Sequence, residues 1–195
     1  MTETLPATAY APVSAELYAQ ILQLYVRQLS SLDAGLVDRW VDVFTEDAVF
    51  EEIHRGEPLR GREAIRTRAH ARAAGFAAQG LAFRHWINML RVVPEQTDAG
   101  GAPTRLRTLL YAMAMATPRG GRLEIKASVV CRDLLVLVDG RWRVRHRDLR
   151  HDGTPHAYRG PGTSVPVADA VASDTGAVTA APYNASQGAG TGATV

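Results

Sequence analysis

His85 lies within Leu81-Ala82-Phe83-Arg84-His85-Trp86-Ile87-Asn88-Met89-Leu90-Arg91-Val92, framed by large hydrophobes. An imidazole in such a wall is either a hydrogen-bonded core residue or a placed acid/base. As an acid/base it would move one proton to or from carbon or oxygen in a dry pocket. Glu51 and Glu52 fall on opposite faces of a strand, so one of them is positioned to enter such a pocket, and alternation does not say which. His146 and Asp148 share a face of another strand. Arg141, Arg143, Arg145 and Arg147 face the other way and read as a solvated or partner-facing row. A nucleic-acid groove would want aromatic residues on that same face, and Trp142 points away from it. The six histidines show no ligand pair on a helix, and a single cysteine, Cys131, excludes an internal disulfide and a Cys-based zinc site. Neither a Gly-rich phosphate loop nor a nucleophile elbow is present. The expected chemistry is proton transfer by side chains, with no metal and no cofactor.

The frame that must hold these residues is one domain's worth of chain, 195 residues with 46% hydrophobic and 22% charged. A net charge of +2 gives no footing for a nucleic-acid binder. The basic residues are almost all arginine, Lys126 being the exception, and this carries no functional reading. With no secretory segment and no apolar run of membrane-spanning length, a soluble, cytoplasmic protein is expected, with no membrane partner.

Residues 1–13 read as a loose arm. Ser14 suits the N-cap of a first helix with Tyr18, Leu22, Tyr25 and Leu29 on its apolar face, widened by Leu17, Ile21 and Leu24. Asp33-Ala34-Gly35 breaks it, and Asp33 also suits the cap of a second helix carrying Leu36, Val37, Trp40, Val41 and Phe44. Thr45-Glu46-Asp47 predicts a turn, Ala48 to Ile53 a strand, and His54 to Leu59 a loop. A third helix over Arg62 to Ala74, ended by Gly75, has little apolar surface and is expected on the rim. The period then changes to alternation. The His85 strand has Leu81, Phe83, His85, Ile87 and Met89 on one face and Ala82, Arg84, Trp86, Asn88, Leu90 and Val92 on the other, both apolar enough to need cover. Strands over Thr104 to Thr117, Leu123 to Val138 and Arg141 to Arg150 follow, the last two joined by the hairpin signal Asp139-Gly140. Met89, Met113 and Met115 read as core fillers. The order predicts an α+β domain over residues 14–152, helices on one side of a curved antiparallel sheet, with a disordered Gly/Ala-rich tail over 153–195.

Five stretches carry a resemblance: Leu32-Asp33-Ala34-Gly35 with Trp40, Phe44-Thr45-Glu46-Asp47-Ala48-Val49-Phe50, Gly61-Arg62-Glu63-Ala64-Ile65, Arg84-His85-Trp86-Ile87-Asn88, and Gly140-Arg141-Trp142-Arg143-Val144. In order and spacing they resemble the nuclear transport factor 2-like superfamily, in its SnoaL-like and scytalone dehydratase-like branch. The resemblance implies a cone-shaped sheet packed against three N-terminal helices, a deep apolar pocket, and a homodimer formed through the convex face. It also implies a catalytic pair, since Asp33 and His85 match the aspartate and histidine that act together in such dehydratases. Their second pocket histidine has no counterpart in Leu109-Leu110-Tyr111-Ala112-Met113-Ala114, where Tyr111 offers a hydroxyl instead, and the tyrosine preceding their aspartate is Leu32 here. Tyr25, Phe83, Tyr111 and His146 are the expected substrate contacts. The implied function is a cofactor-free dehydratase, isomerase or cyclase acting on a small hydrophobic, polyketide-like molecule. The chain is also similar to the β subunits of aromatic-ring-hydroxylating dioxygenases, which implies the alternative of a structural partner to a large iron-containing subunit.

Overall fold

The computed structural model describes residues 13–52 and 56–153, all within one compact unit. The expected arm, except Val13, and the expected tail, except Gly153, lie outside the described residues.

Helix α1 (Ala15–Asp33) starts where the Ser14 hydroxyl accepts the Leu17 N–H at 3.1 Å. Its buried stripe is centred on Ile21, Tyr25 and Gln28 rather than on Tyr18 and Leu22; Tyr18 is exposed. The helix stops at Asp33, and two residues on, Gly35 turns the chain away at a φ of 75° that suits a residue without Cβ. Helix α2 (Val37–Val41) is shorter than expected. The chain leaves it early because Phe44 swings inward onto Trp40, ring centroids 5.0 Å apart, while Val43 O accepts the Val144 N–H.

Strand β1 (Phe44–Glu52) therefore begins before the expected turn, and β2 (Leu59–Arg60) pairs with it directly after Pro58, where a loop was expected. Helix α3 (Arg62–Ala78) runs through Gly75. A mid-helix glycine costs only about 0.5–1 kcal/mol, and continuing places Phe76 in a stack on Phe83 at 4.5 Å. Strands β3 (Leu81–Thr97), β4 (Pro103–Pro118), β5 (Glu124–Val138) and β6 (Arg141–His151) form antiparallel hairpins. Asp139 and Gly140, both at positive φ, make the predicted tight turn.

The sheet order is β2-β1-β6-β5-β4-β3, and β1 runs parallel to β6. The sheet is thus mixed rather than wholly antiparallel, since β1 reaches it through helices and not through a hairpin. Ile21, Trp40, Ile65, Leu110, Leu135 and Val144 belong to the core between helices and sheet.

Two irregularities decide which side chains point inward. In β3 the register shifts between Asn88 and Arg91, with Met89 at φ 55° and its N–H bonded to Asn88 Oδ1. Beyond this bulge Leu90 and Val92 turn into the core and Met89 is left 63% exposed, reversing the expected assignment of all three. In β6 the register shifts between Val144 and His146, opposite Leu135 and Leu134. The inward series therefore runs Val144, Arg147, Leu149, His151.

Candidate functional site

A cavity of about 370 Å³ lies between α1, α3 and the concave face of the sheet. Helix α3, expected on the rim, walls it with Ile65, Ala69, Ala73 and Phe76. The sheet contributes Phe83 and His85 from β3, Leu110 and Ala114 from β4.

Asp33 is the last residue of α1 and reaches across to β3. Its Oδ1 lies 2.6 Å from His85 Nδ1, and its Oδ2 accepts the His85 backbone N–H at 2.9 Å. Both oxygens are thus committed to one residue, and no side chain caps α2. The pair is mostly enclosed, 15% exposed for His85 and 13% for Asp33. A carboxylate on Nδ1 holds the proton there and leaves Nε2 as the basic nitrogen, without a protein partner among the described residues. The Phe83 ring packs edge-on at 5.1 Å, giving the imidazole an apolar neighbour.

Tyr25 lies at the base of the cavity, where its hydroxyl is already engaged. It donates to Asp133 Oδ2 at 2.9 Å and meets the Thr108 hydroxyl at 2.5 Å. Asp133 is held in turn by Arg147, through Nε at 2.9 Å and Nη2 at 2.6 Å, and Arg147 Nη2 also donates to Gln28 Oε1 at 2.9 Å. This floor is a sealed polar network: the Arg147 and Asp133 side chains are 4% and 0% exposed. Burial, then the Asp133 charge, pushes the Tyr25 phenol well above its ordinary value of 10.0. Burial and Asp133 likewise raise the Cys131 thiol, so that it stays protonated and unreactive. Burial opposes the charge on Arg147, but the Asp133 carboxylate leads the interactions that outweigh it, and the net direction is up.

Of the expected contacts, Asp33, His85, Tyr25 and Phe83 come together around the cavity. Tyr111 and His146 do not. Strict alternation in β4 turns Leu110 and Ala114 inward, leaving Tyr111 50% exposed on the outer face opposite Asn88. The β6 bulge puts His146 outside, 3.3 Å from Glu51, next to Arg145, which pairs with Asp47. The same bulge overturns the reading of Arg147 as part of a surface row. Gln28 interrupting an apolar helix face, and Asp133 inside Val129-Val130-Cys131-Arg132-Asp133-Leu134-Leu135, were the available signals for the network. No helix among the described residues is long and apolar enough to cross a membrane, and none of their His, Cys, Asp or Glu side chains group in threes that could hold a metal ion.

Comparison with known proteins agrees with this architecture. Aln2 from a Streptomyces species shares 32% identity over 73% of this chain and 95% of its own, with a TM-score of 0.63. A Catenulispora acidiphila protein solved in complex with S-DNPA shares 30% over 71% and 96%, TM-score 0.59. An NTF2-like protein with a cystatin-like fold from Novosphingobium aromaticivorans, at 17% identity over 73% and 86%, has a TM-score of 0.60 and shares the fold. No curated protein matches. The SnoaL-like domain matches residues 13–148, and the chain belongs to that family.

Proposed function

We propose that the protein is a cofactor-free lyase or isomerase, a dehydratase or cyclase, that moves a proton on a small apolar molecule of fused rings. The observation that carries this reading is the Asp33–His85 pair, 2.6 Å apart in the wall of an apolar cavity. A structural histidine needs one hydrogen bond. Here one carboxylate oxygen meets the ring at Nδ1 and the other anchors the same residue's backbone N–H, so one carboxylate orients the imidazole and the strand that carries it, which is the arrangement a general base requires. The Phe83 ring packs against the imidazole and the Asp33 carboxylate stands at its far nitrogen, which leaves one ring nitrogen for exchange with a ligand. A cavity of about 370 Å³ is more than twice the ~150 Å³ that takes a single benzene. The Catenulispora acidiphila relative in complex with S-DNPA supports a small-molecule ligand for this fold.

The test is single-turnover reaction of 3-hydroxy-1-tetralone, a two-ring β-hydroxy ketone whose dehydration gives fluorescent 1-naphthol. His85→Asn is expected to slow it by roughly 10²–10⁴-fold, the ordinary contribution of a positioned acid/base. Asp33→Asn, which keeps the hydrogen-bonding shape and removes the charge, should lower the rate with less effect on binding. A folded His85→Asn protein with undiminished rate would make His85 a core residue. Recovery of a large iron-containing chain bound to the protein at native levels would favour the dioxygenase-subunit reading instead.

A further inference from the structure

The polar floor of the cavity has one edge without a protein partner. Asp133 takes the Nε and Nη2 edge of Arg147 side-on, at 2.9 Å and 2.6 Å, and Gln28 Oε1 accepts from Nη2 at 2.9 Å. Nη1 makes no hydrogen bond or ion pair among the described residues. Its two hydrogens can only donate. Two rings hold the guanidinium in place, with the Phe44 and Tyr25 centroids 5.2 Å and 5.9 Å from its Cζ. Arg147 lines the cavity, while Asp133, Thr108 and Gln28 do not. Nη1 is thus the edge that the network turns toward the cavity, on a side chain only 4% exposed. Asp133 and Gln28 occupy two of the three guanidinium nitrogens, and a buried donor left over calls for an acceptor.

Charge decides which acceptor fits. Asp133 already neutralises Arg147, so a carboxylate or phosphate brought to Nη1 would leave one negative charge uncompensated beside a pair that is 4% and 0% exposed. A neutral carbonyl oxygen accepts the same hydrogens and adds no charge. Place in the fold decides which part of a ligand carries that oxygen. Arg147 faces Asp133, Asp133 faces Thr108, and Thr108 faces Val92, whereas His85 faces Ala114. From Thr108 to Ala114 is about 20 Å of strand, so the rows of Arg147 and His85 lie toward opposite ends of the cavity. Arg72 is exposed, and its guanidinium lies over the Phe83 ring at 5.7 Å. His85 therefore stands toward the mouth, and Arg147 at the closed end.

We infer that Arg147 is a ligand-anchoring residue whose Nη1 donates to a neutral carbonyl oxygen at the closed end of the cavity, and that this contact decides which end of a ligand enters first. The inference rests on the cavity being the ligand site of the reading above, and not on proton transfer at His85. Such a donor favours a molecule that carries the oxygen over one that lacks it, because the analogue leaves a charged donor buried and unpaired. Arg147 makes and breaks no bond in the ligand; it holds one end while the other end lies beside His85.

The probes are 1-tetralone and tetralin, one two-ring frame with and without a carbonyl. In the wild-type protein the infrared carbonyl stretch of bound 1-tetralone is expected below its value in hexane. Nitrogen NMR is expected to show the Arg147 side-chain signal, assigned through its backbone, shifting with 1-tetralone and not with tetralin. The double change Asp133→Leu with Arg147→Met removes the donor together with its counter-charge. In that variant the preference for 1-tetralone over tetralin should fall by roughly 10–150-fold, the worth of one hydrogen bond to a charged group. Should the variant not fold, the wild-type infrared and NMR shifts decide alone. Wild-type protein should bind 1-naphthoate, which brings a carboxylate, more weakly than 1-tetralone, and tighter binding would overturn the choice of a neutral oxygen. If the Arg147 signal ignores 1-tetralone while other cavity residues respond, or the double variant keeps the wild-type preference, Arg147 is structural alone and the His85 reading stands. If neither probe moves any cavity signal, the inference falls together with the ligand-site reading.

Discussion

Asp133→Asn tests whether the cavity floor is the sealed ion pair that its geometry describes. Asp133 accepts two hydrogen bonds from Arg147 Nε and Nη2, one from Tyr25, and a longer one from the Cys131 thiol at 3.5 Å. Asparagine keeps the volume but offers one oxygen where two are in use, and it turns an N–H group toward donors. Arg147 cannot relax into water from a site only 4% exposed. Removing one partner of a buried pair costs about 3–5 kcal/mol, because a charge is left uncompensated. For a domain of this size each kcal/mol moves Tm by roughly 2–4 °C, so a fall of about 6–20 °C is expected. Thermal and urea unfolding followed by circular dichroism measure it, with an unchanged urea slope showing that the loss is stability and not compactness. The double change Asp133→Leu with Arg147→Met should recover much of the loss, since a buried pair exchanged for apolar groups of similar volume is often neutral. A fall of under a degree in Asp133→Asn would show that water or another group reaches Arg147, and the sealed floor would be wrong.

Three other outcomes follow from the same geometry. The raised Tyr25 phenol means that the folded state holds its proton more tightly than the unfolded one, so its contribution is full below pH 10 and is lost as pH rises above it; near-ultraviolet titration should show its phenolate appearing only with loss of tertiary structure, and ionisation in the intact fold would contradict this. Cys131 should resist a charged disulfide reagent in the native protein and react once urea unfolds it; fast native reaction would contradict the protonated thiol. Trp86 and Tyr111, 63% and 50% exposed on the outer sheet face, should be covered in a homodimer. Light scattering should give a dimer that Trp86→Arg converts to monomer, and a wild-type monomer at micromolar concentration would refute it.

Much of this was legible in the chain because periodicity reports burial wherever an element is regular. The Ser14 cap, the break at Asp33-Ala34-Gly35, the Asp139-Gly140 turn and the inward set Phe83, His85 and Ile87 all lie in regular stretches, and the helices and hairpins follow from them. Alternation misleads past an inserted residue. One bulge at Met89 returns Leu90 and Val92 to the core, and one at Arg145-His146 exchanges His146 for Arg147 in the inward series. No residue type at either place announces the shift. Helix α3 was misjudged for another reason. Alanines at Ala69 and Ala73 add little hydrophobic signal, yet they let the helix wall the cavity, and the Phe76–Phe83 stack carries it past Gly75. His151 lay just beyond the expected end of β6, and its contact with Glu52 depends on the parallel β1–β6 register, which alternation does not report.

The acid/base role of His85 requires Asp33 to fix the ring so that Nε2 is the nitrogen offered to the cavity. Nitrogen NMR of the histidine rings, in the free protein and with added 1-naphthol, reads this arrangement out. His85 is expected to carry its ring proton at Nδ1, with the Nε2 signal shifting when the naphthol hydroxyl binds and the tautomer losing definition in Asp33→Asn. A His85 ring protonated at Nε2, or one that ignores bound naphthol while other cavity residues respond, would contradict it.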